Sequence, residues 1–568
     1  MSEPGRVQAA FAATLVDEWA RAGVSHAVVS PGSRSAPLAL ALAADHRLRL
    51  HVFLDERSAA FCAVGMAKAT GIPAVVLTTS GTAAVELHPA VVEASQARVP
   101  LLVCTADRPP ELRGVGAPQT VDQVGLYGGA VRWFCEPGVA EGLTMSTWRS
   151  LAARAVAEAT GPQPGPVHLN LAFRDPLVAD PGPLPPARAS GAPWHRAPRR
   201  VSERLLPDDE VEGMLRCERG VIVAGAHAGD PEAVHALAGA RGWPVLADPL
   251  SGCRVPEPTT VAAFDALLRH RPFADAQTPE VVVRLGAAPA SKVVAGWLAV
   301  SGAHQVLVDP EAAWVDPERT AAVVARADPT AWCRALAAEG PGPGVWLRGW
   351  ADAEASAQQA MATVVARHGE ITEPGLARAL AGALAPGSTL VVSSSMPVRD
   401  LEWYAPARTG LRVLANRGAN GIDGVTSTAV GVALAGARPT ALLIGDLAFL
   451  HDANGLLGLA RRQVDLTIVV IDNGGGGIFS FLPPARALAT EHFELLFATP
   501  QDVDLVALAG LHGLQACRVE DLRAFEGALA AAIEGGVRVV VATTERGSNV
   551  AVHEEIHAEV AAALERRS

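Results

Sequence analysis

Two apolar runs, TALLIGD (440–446) and LTIVVIDN (466–473), restrict the fold of this chain more than any other feature. Both are short and almost continuously apolar, as strands buried on both faces are. A helix-like segment separates them, so the unit reads strand, crossover, strand, which is the βαβ unit of a parallel sheet. The first run ends at Gly445 and Asp446, and the second at Asn473 and a glycine run, 474–477. Open α/β sheets bind ligands outside the carboxyl ends of their strands, where both polar residues fall.

The residue types at these two ends suit a hard cation holding a diphosphate. Mg²⁺ takes about six oxygen ligands, commonly one or two carboxylates with phosphate oxygens and water. Asp446 offers a carboxylate, Asn473 a side-chain carbonyl, and the glycine run a backbone carbonyl and close-approaching N–H groups. The same residues also read as a strand end, a helix cap and a loop. Residue type alone leaves both readings open.

Composition sets outer bounds. A chain of 568 residues has room for about three domains with full cores. It is 49% hydrophobic and 19% charged, a compact soluble class. A net charge of −12 argues against non-specific binding to nucleic acid or anionic membrane. The seven cysteines are dispersed, without a CxxC pair, as in a reducing, cytoplasmic setting. The N-terminus makes a poor signal peptide, and no apolar stretch reaches the roughly 18 residues of a membrane span.

Earlier in the chain the same strand, Gly turn and helix pattern recurs. SPGSRSAPLALAL (30–42) places Ser33 where it can cap a helix, with Arg34 beside it. Arg34 reads either as a solvated side chain or as a carboxylate receptor. Glu56 follows the run HVFLD and opens a helix, where a carboxylate also suits the macrodipole. Gln119 lies in a Gly/Pro-rich loop. Residues 178–208 and 339–349 read as linkers. Between them, AGAHAGD follows a strand without a clean GxGxxG, and Lys292 follows another strand end as a surface lysine or a site residue. Ser395 and Arg399 follow the run STLVV, while Arg417 and Ile422 lie in the glycine-rich turn NRGANGIDG. The first and last domains look alike in outline, without residue identity to support a duplication.

Two phrases carry a resemblance. The Gly445–Asp446 pair with Asn473 following 27 residues on resembles the diphosphate–metal motif of thiamine-diphosphate enzymes, with Leu447 replacing its second glycine. ERSAAFCAVGMAKATGIPAVVLTTSGTAA (56–84) resembles the pyrimidine-binding half of the same superfamily. The resemblance implies an α/β fold of three doubly wound parallel-sheet domains. These are a pyrimidine domain over 1–185, a central domain over 186–345 and a diphosphate/metal domain over 346–568. It implies Mg²⁺ or Mn²⁺ on Asp446, Asn473 and the Gly475 carbonyl. It also implies thiamine diphosphate against Glu56, Ser80, Gly81, Ile422, Gly445, Ile478 and Phe479. Glu56 would bond the cofactor pyrimidine and favour its imino tautomer, and Ile422 would hold the cofactor bent.

Within the superfamily, SPGSRSAPLALAL, DERSAAF, TADRP, NRGANGIDG, GDLAFLHDANGL and DNGGGGIFSFLP are similar to the menaquinone-pathway branch. That likeness implies decarboxylation of 2-oxoglutarate and addition of the succinyl carbanion to isochorismate. Both substrates are dicarboxylates, and arginine forks suit carboxylates. Ser33, Arg34, Gln119, Lys292, Ser395, Arg399 and Arg417 match the branch's substrate positions. In this family one subunit gives the Glu and another the metal motif, so a homodimer is the least active unit and a homotetramer the fuller expectation. The alternatives are another thiamine lyase, such as an acetohydroxyacid synthase or 2-oxoacid decarboxylase, and a degenerate, non-enzymatic member of the fold.

Overall fold

The computed structural model describes residues 3–195, 209–311, 313–337, 342, 344–436, 439–532 and 535–567. Its strands form three sheets of six, parallel throughout. The first sheet contains β1 (His26–Val29), β2 (Arg49–Val52), β3 (Ala74–Thr78), β4 (Leu101–Asp107), β5 (Trp133–Cys135) and β6 (Pro166–Ala172). The second contains β7 (Gly220–Ala224), β8 (Val245–Ala247), β9 (Thr260–Val261), β10 (Val281–Leu285), β11 (His304–Val308) and β12 (Ala321–Ala325). The third contains β13 (Thr389–Val392), β14 (Arg412–Ala415), β15 (Thr440–Gly445), β16 (Leu466–Asp472), β17 (Gln515–Val519) and β18 (Val537–Thr543). Helices interleave with the strands, which accounts for their continuous apolar runs, as in the fully buried β3, β4 and β6. The apolar runs TALLIGD and LTIVVIDN form β15 and β16, paired in parallel from Thr440 opposite Leu466 to Gly445 opposite Ile471.

The sheet orders show a likeness of topology between the outer domains. The first runs β2-β1-β3-β4-β6-β5 and the third β14-β13-β15-β16-β18-β17, the same order when each domain's strands are counted from its own first strand. The middle sheet runs β12-β11-β10-β7-β8-β9, the order of dinucleotide-binding folds. Its first turn still lacks their phosphate fingerprint.

The first and third domains share a hydrophobic core. Phe61, Met66 and Val76 from one side pack with Val430, Phe449 and Ile468 from the other. At its centre the helix Glu56–Thr70 crosses the helix Val425–Ala435 with small residues in the contact. A methyl group on Gly65 would overlap the Thr428 carbonyl oxygen, and one on Gly431 the Cys62 carbonyl. Gly65→Ala is therefore expected to lower the unfolding free energy by about 1–3 kcal/mol, read from guanidinium denaturation. The second linker is shorter than its composition suggests. The helix Val345–Arg367 starts inside it because Trp346 and Trp350 bury themselves in the middle domain's core. Residues 196–208 of the first linker lie outside the described residues. Among the described residues, no helix is long and apolar enough to cross a membrane.

Candidate active site

The carboxyl ends of β15 and β16 meet through Asp446. It starts the short helix Asp446–His451, and its carboxylate spans both strand ends. Oδ1 accepts the Leu447 N–H and Oδ2 the Gly475 N–H, each at 2.7 Å. Burial pushes Asp446 up to about 6 despite these two bonds. Asn473 is also buried. Its Nδ2 donates to Glu373 Oε1 at 2.9 Å, which leaves Oδ1 buried without a partner. The Gly475 carbonyl accepts the Gly477 N–H at 2.9 Å and keeps a second lone pair. An unpartnered buried acceptor costs about 1–3 kcal/mol. A carboxylate with free lone pairs, an orphaned amide oxygen and a backbone carbonyl together fit a hard cation. Beside them, Ile478 packs against a core shared by the middle domain and the C-terminal helix, and the Phe479 ring lies edge-on to Phe497 at 5.6 Å.

A cationic group lies on the same sheet. Ser395 opens the helix Met396–Tyr404 with φ 75° and ψ −135°, a conformation that non-glycine residues adopt only under strain. The Arg399 guanidinium returns along that helix to donate to the Ser395 carbonyl. Burial lowers the Arg399 pKa, and the neighbouring Arg417 charge lowers it further. Two guanidiniums within each other's field suit an anion. The turn carrying Arg417 is held by the first domain, because Glu93 accepts the Gly418 and Ala419 N–H groups at 3.1 and 2.7 Å. Glu93 is itself paired with Lys68 at 3.0 Å. Ile422, in the same turn, packs against the shared core. Lys292 is exposed at the start of its helix. The preceding loop docks on the Arg399 helix, since the Ala290 N–H donates to Glu402 Oε1 at 2.6 Å.

A second group forms at the carboxyl ends of the first sheet. Ser33 does not cap a helix as expected. The Ala36 N–H bonds the Ser33 backbone carbonyl at 3.1 Å, and Ser35 takes the cap position without a side-chain cap bond. The backbone turn thus satisfies the amide that the Ser33 hydroxyl would have served. Arg34 is not a solvated side chain. Its Nη1 donates to the Phe173 carbonyl at 3.0 Å and to Asp175 at 3.2 Å, while its buried Nε lacks a partner. Ser80 Oγ donates to the Gln119 carbonyl at 3.1 Å, Gln119 Nε2 returns a bond to the Ser80 carbonyl at 3.0 Å, and Gly81 N–H donates to Gln123. Arg108, in the phrase TADRP and readable from the residues as either a structural or a substrate-contacting arginine, donates to Ser80 Oγ. Its pKa is lowered by burial and by the neighbouring Arg34 charge, so this half also gathers two guanidiniums.

Glu56 is the first residue of its helix, behind the cap Asp55, which accepts the Ser58 N–H at 2.9 Å. Burial raises the Glu56 pKa, and the Asp55 and Glu86 charges add to the rise. Its flanking residues reach the third domain at the far end of the Asp446 helix. Arg57 donates to the His451 carbonyl at 2.7 Å, and Asn454 donates to Asp55 at 2.5 Å. Among the described residues, no hydrogen bond or ion pair joins Glu56, Arg34, Ser80 or Gln119 to Asp446, Asn473, Gly475, Arg399 or Arg417. One chain therefore carries two clusters with no direct bond between them among the described residues, at equivalent ends of two like sheets.

Family comparisons match the chain in three consecutive pieces. These are the thiamine pyrophosphate enzyme N-terminal TPP binding domain over residues 9–126, the middle domain over 188–392 and the C-terminal TPP binding domain over 401–543. A 2-succinyl-5-enolpyruvyl-6-hydroxy-3-cyclohexene-1-carboxylate synthase of Myxococcus xanthus is 43% identical across 99% of both chains. The synthase of Thermobifida fusca is 45% identical across 98% of this chain and 99% of its own. That of Halobacterium salinarum is 44% identical across 96% and 97%. With its three parallel sheets and near full-length likeness, the chain belongs to the thiamine pyrophosphate enzymes and, within them, to the 2-succinyl-5-enolpyruvyl-6-hydroxy-3-cyclohexene-1-carboxylate synthase family.

Proposed function

We propose that the chain is a transferase of menaquinone biosynthesis that decarboxylates 2-oxoglutarate and adds the succinyl carbanion to isochorismate, releasing CO₂. The observation that carries this reading is the near full-length identity to synthases of that name. Two arginine pairs, Arg34 with Arg108 and Arg399 with Arg417, support it by giving dicarboxylates charged partners in an acidic protein. Thiamine diphosphate, when bound, supplies the electron sink that decarboxylation needs. The residues of the chain do the rest. Asp446, Asn473 and the Gly475 carbonyl would hold Mg²⁺, or Mn²⁺ in its place, which would neutralise the cofactor diphosphate. Glu56 would hold a proton against the cofactor pyrimidine, with Ser80, Gly81 and Ile422 as further cofactor contacts. Gly445, Ile478 and Phe479, close in sequence to the metal ligands, would also contact the cofactor. Ser33, Arg34, Gln119, Lys292, Ser395, Arg399 and Arg417 orient the substrate carboxylates and hydroxyls.

The separation of the two clusters in one chain supports a homodimer, with Glu56 of one subunit completing the metal cluster of the other. Pairs of such dimers would give a homotetramer, working in the cytoplasm. The test is incubation of the pure protein with thiamine diphosphate, Mg²⁺ and 2-oxoglutarate, with and without isochorismate. Loss of isochorismate absorbance with a product of the mass of the succinylated adduct is expected. Consumption of pyruvate in place of 2-oxoglutarate would overturn the substrate assignment.

A further inference from the structure

We propose that Glu373 is a positioning residue that fixes the side-chain amide of Asn473 so that its oxygen stays free for the cation. The inference rests on the metal assignment above and extends it to a residue 100 positions upstream. Glu373 opens the helix Glu373–Ala383 behind its cap Thr372 and is itself buried. Its Oε1 receives two donors, Asn473 Nδ2 at 2.9 Å and Thr544 Oγ1 at 3.2 Å. Its Oε2 is buried without a partner, and Glu373 lines a cavity of about 430 Å³ together with Thr544 and Asn549.

The two ends of an asparagine amide are alike in shape and opposite in hydrogen bonding. A flipped Asn473 would set its oxygen against Glu373 Oε1, acceptor against acceptor, and turn an NH₂ group towards the cation. Glu373 Oε1, which already accepts Thr544 Oγ1, disfavours that state. Burial and the nearby Asp400 charge push Glu373 up to about 8. Orientation does not depend on this, because Oε1 accepts whether or not Oε2 carries a proton. Glutamine should therefore replace Glu373 with little loss, presenting its oxygen to Asn473 and its NH₂ group to the cavity. An apolar side chain of the same length should not.

Mn²⁺ titrations of the full-length protein with saturating thiamine diphosphate, with free Mn²⁺ read by electron paramagnetic resonance, test this without turnover. Glu373→Met should weaken Mn²⁺ binding by about 10–100-fold, the usual cost of losing an outer partner of a metal ligand. Glu373→Gln should stay within about 3-fold of the parent, well short of that loss. Thermal midpoints taken without Mn²⁺ or cofactor establish that each variant folds. Should Glu373→Met not fold, Glu373→Asp decides, since its shortened carboxylate should also lose at least about 10-fold. Parental affinity in the Met or Asp variant, or equal losses in Gln and Met, would overturn the inference and leave the metal assignment standing. No Mn²⁺ binding by the parent protein would remove that assignment, and this inference with it.

Discussion

Glu56→Gln is expected to cut turnover of 2-oxoglutarate with isochorismate by about 10²–10⁴-fold while thiamine diphosphate still binds. Glutamine keeps the volume of the side chain and one hydrogen bond, and loses only the capacity to exchange a proton. The site favours that capacity, because burial and the Asp55 and Glu86 charges all raise the Glu56 pKa. A carboxyl whose pKa is moved towards neutrality exchanges protons more readily than an ordinary surface glutamate. The measurement pairs steady-state kcat with cofactor affinity from fluorescence titration. Turnover close to the parent would return Glu56 to the simpler role of a carboxylate at a helix N-terminus.

Asp446→Ala should abolish metal-dependent binding of thiamine diphosphate. Losing only an outer partner of a metal ligand costs about 10–100-fold in affinity, and loss of the carboxylate itself should exceed that. The substitution also strips the Leu447 and Gly475 N–H groups of their acceptor, so the ends of β15 and β16 lose their shared tie. Calorimetric titration of cofactor with and without Mg²⁺ separates the effects. A general loosening weakens both titrations, whereas loss of the metal site removes the difference between them. Unchanged affinity with Mg²⁺ would refute the metal assignment.

Much of this architecture could be read from the residues, for a reason that also marks the limit. Continuous apolar runs such as Leu466–Asp472 announce strands covered on both sides, and their ends announce a ligand edge. Periodicity therefore located Asp446 and Asn473, and the family likeness chose among the meanings those positions allowed. Contacts between distant segments had no such signal. Glu373 faces Asn473, and Glu93 holds the turn at Gly418 and Ala419 across more than 300 positions, only because the topology brings them together. For Arg108 the residues left structure and substrate contact equally open, and its donation to Ser80 could be read only from the fold. The expected Ser33 cap failed because a backbone carbonyl competed for the same N–H group. The shared strand order of the outer domains was visible only in outline in the residues, since a buried strand accepts many apolar sequences.

The separation of the two clusters within one chain has a genetic consequence under the proposed dimer. A chain lacking Glu56 and a chain lacking Asp446 carry lesions in different halves, so a mixed pair concentrates both defects in one site and leaves the other intact. Two inactive alleles would then complement. Co-expression in equal amounts would restore about a quarter of the parental activity, because half of randomly formed pairs are mixed and each keeps one good site. A site built within one chain permits no such rescue. Selection on this protein would thus act on pairs of chains, and a loss-of-function allele could persist beside another that damages the opposite half.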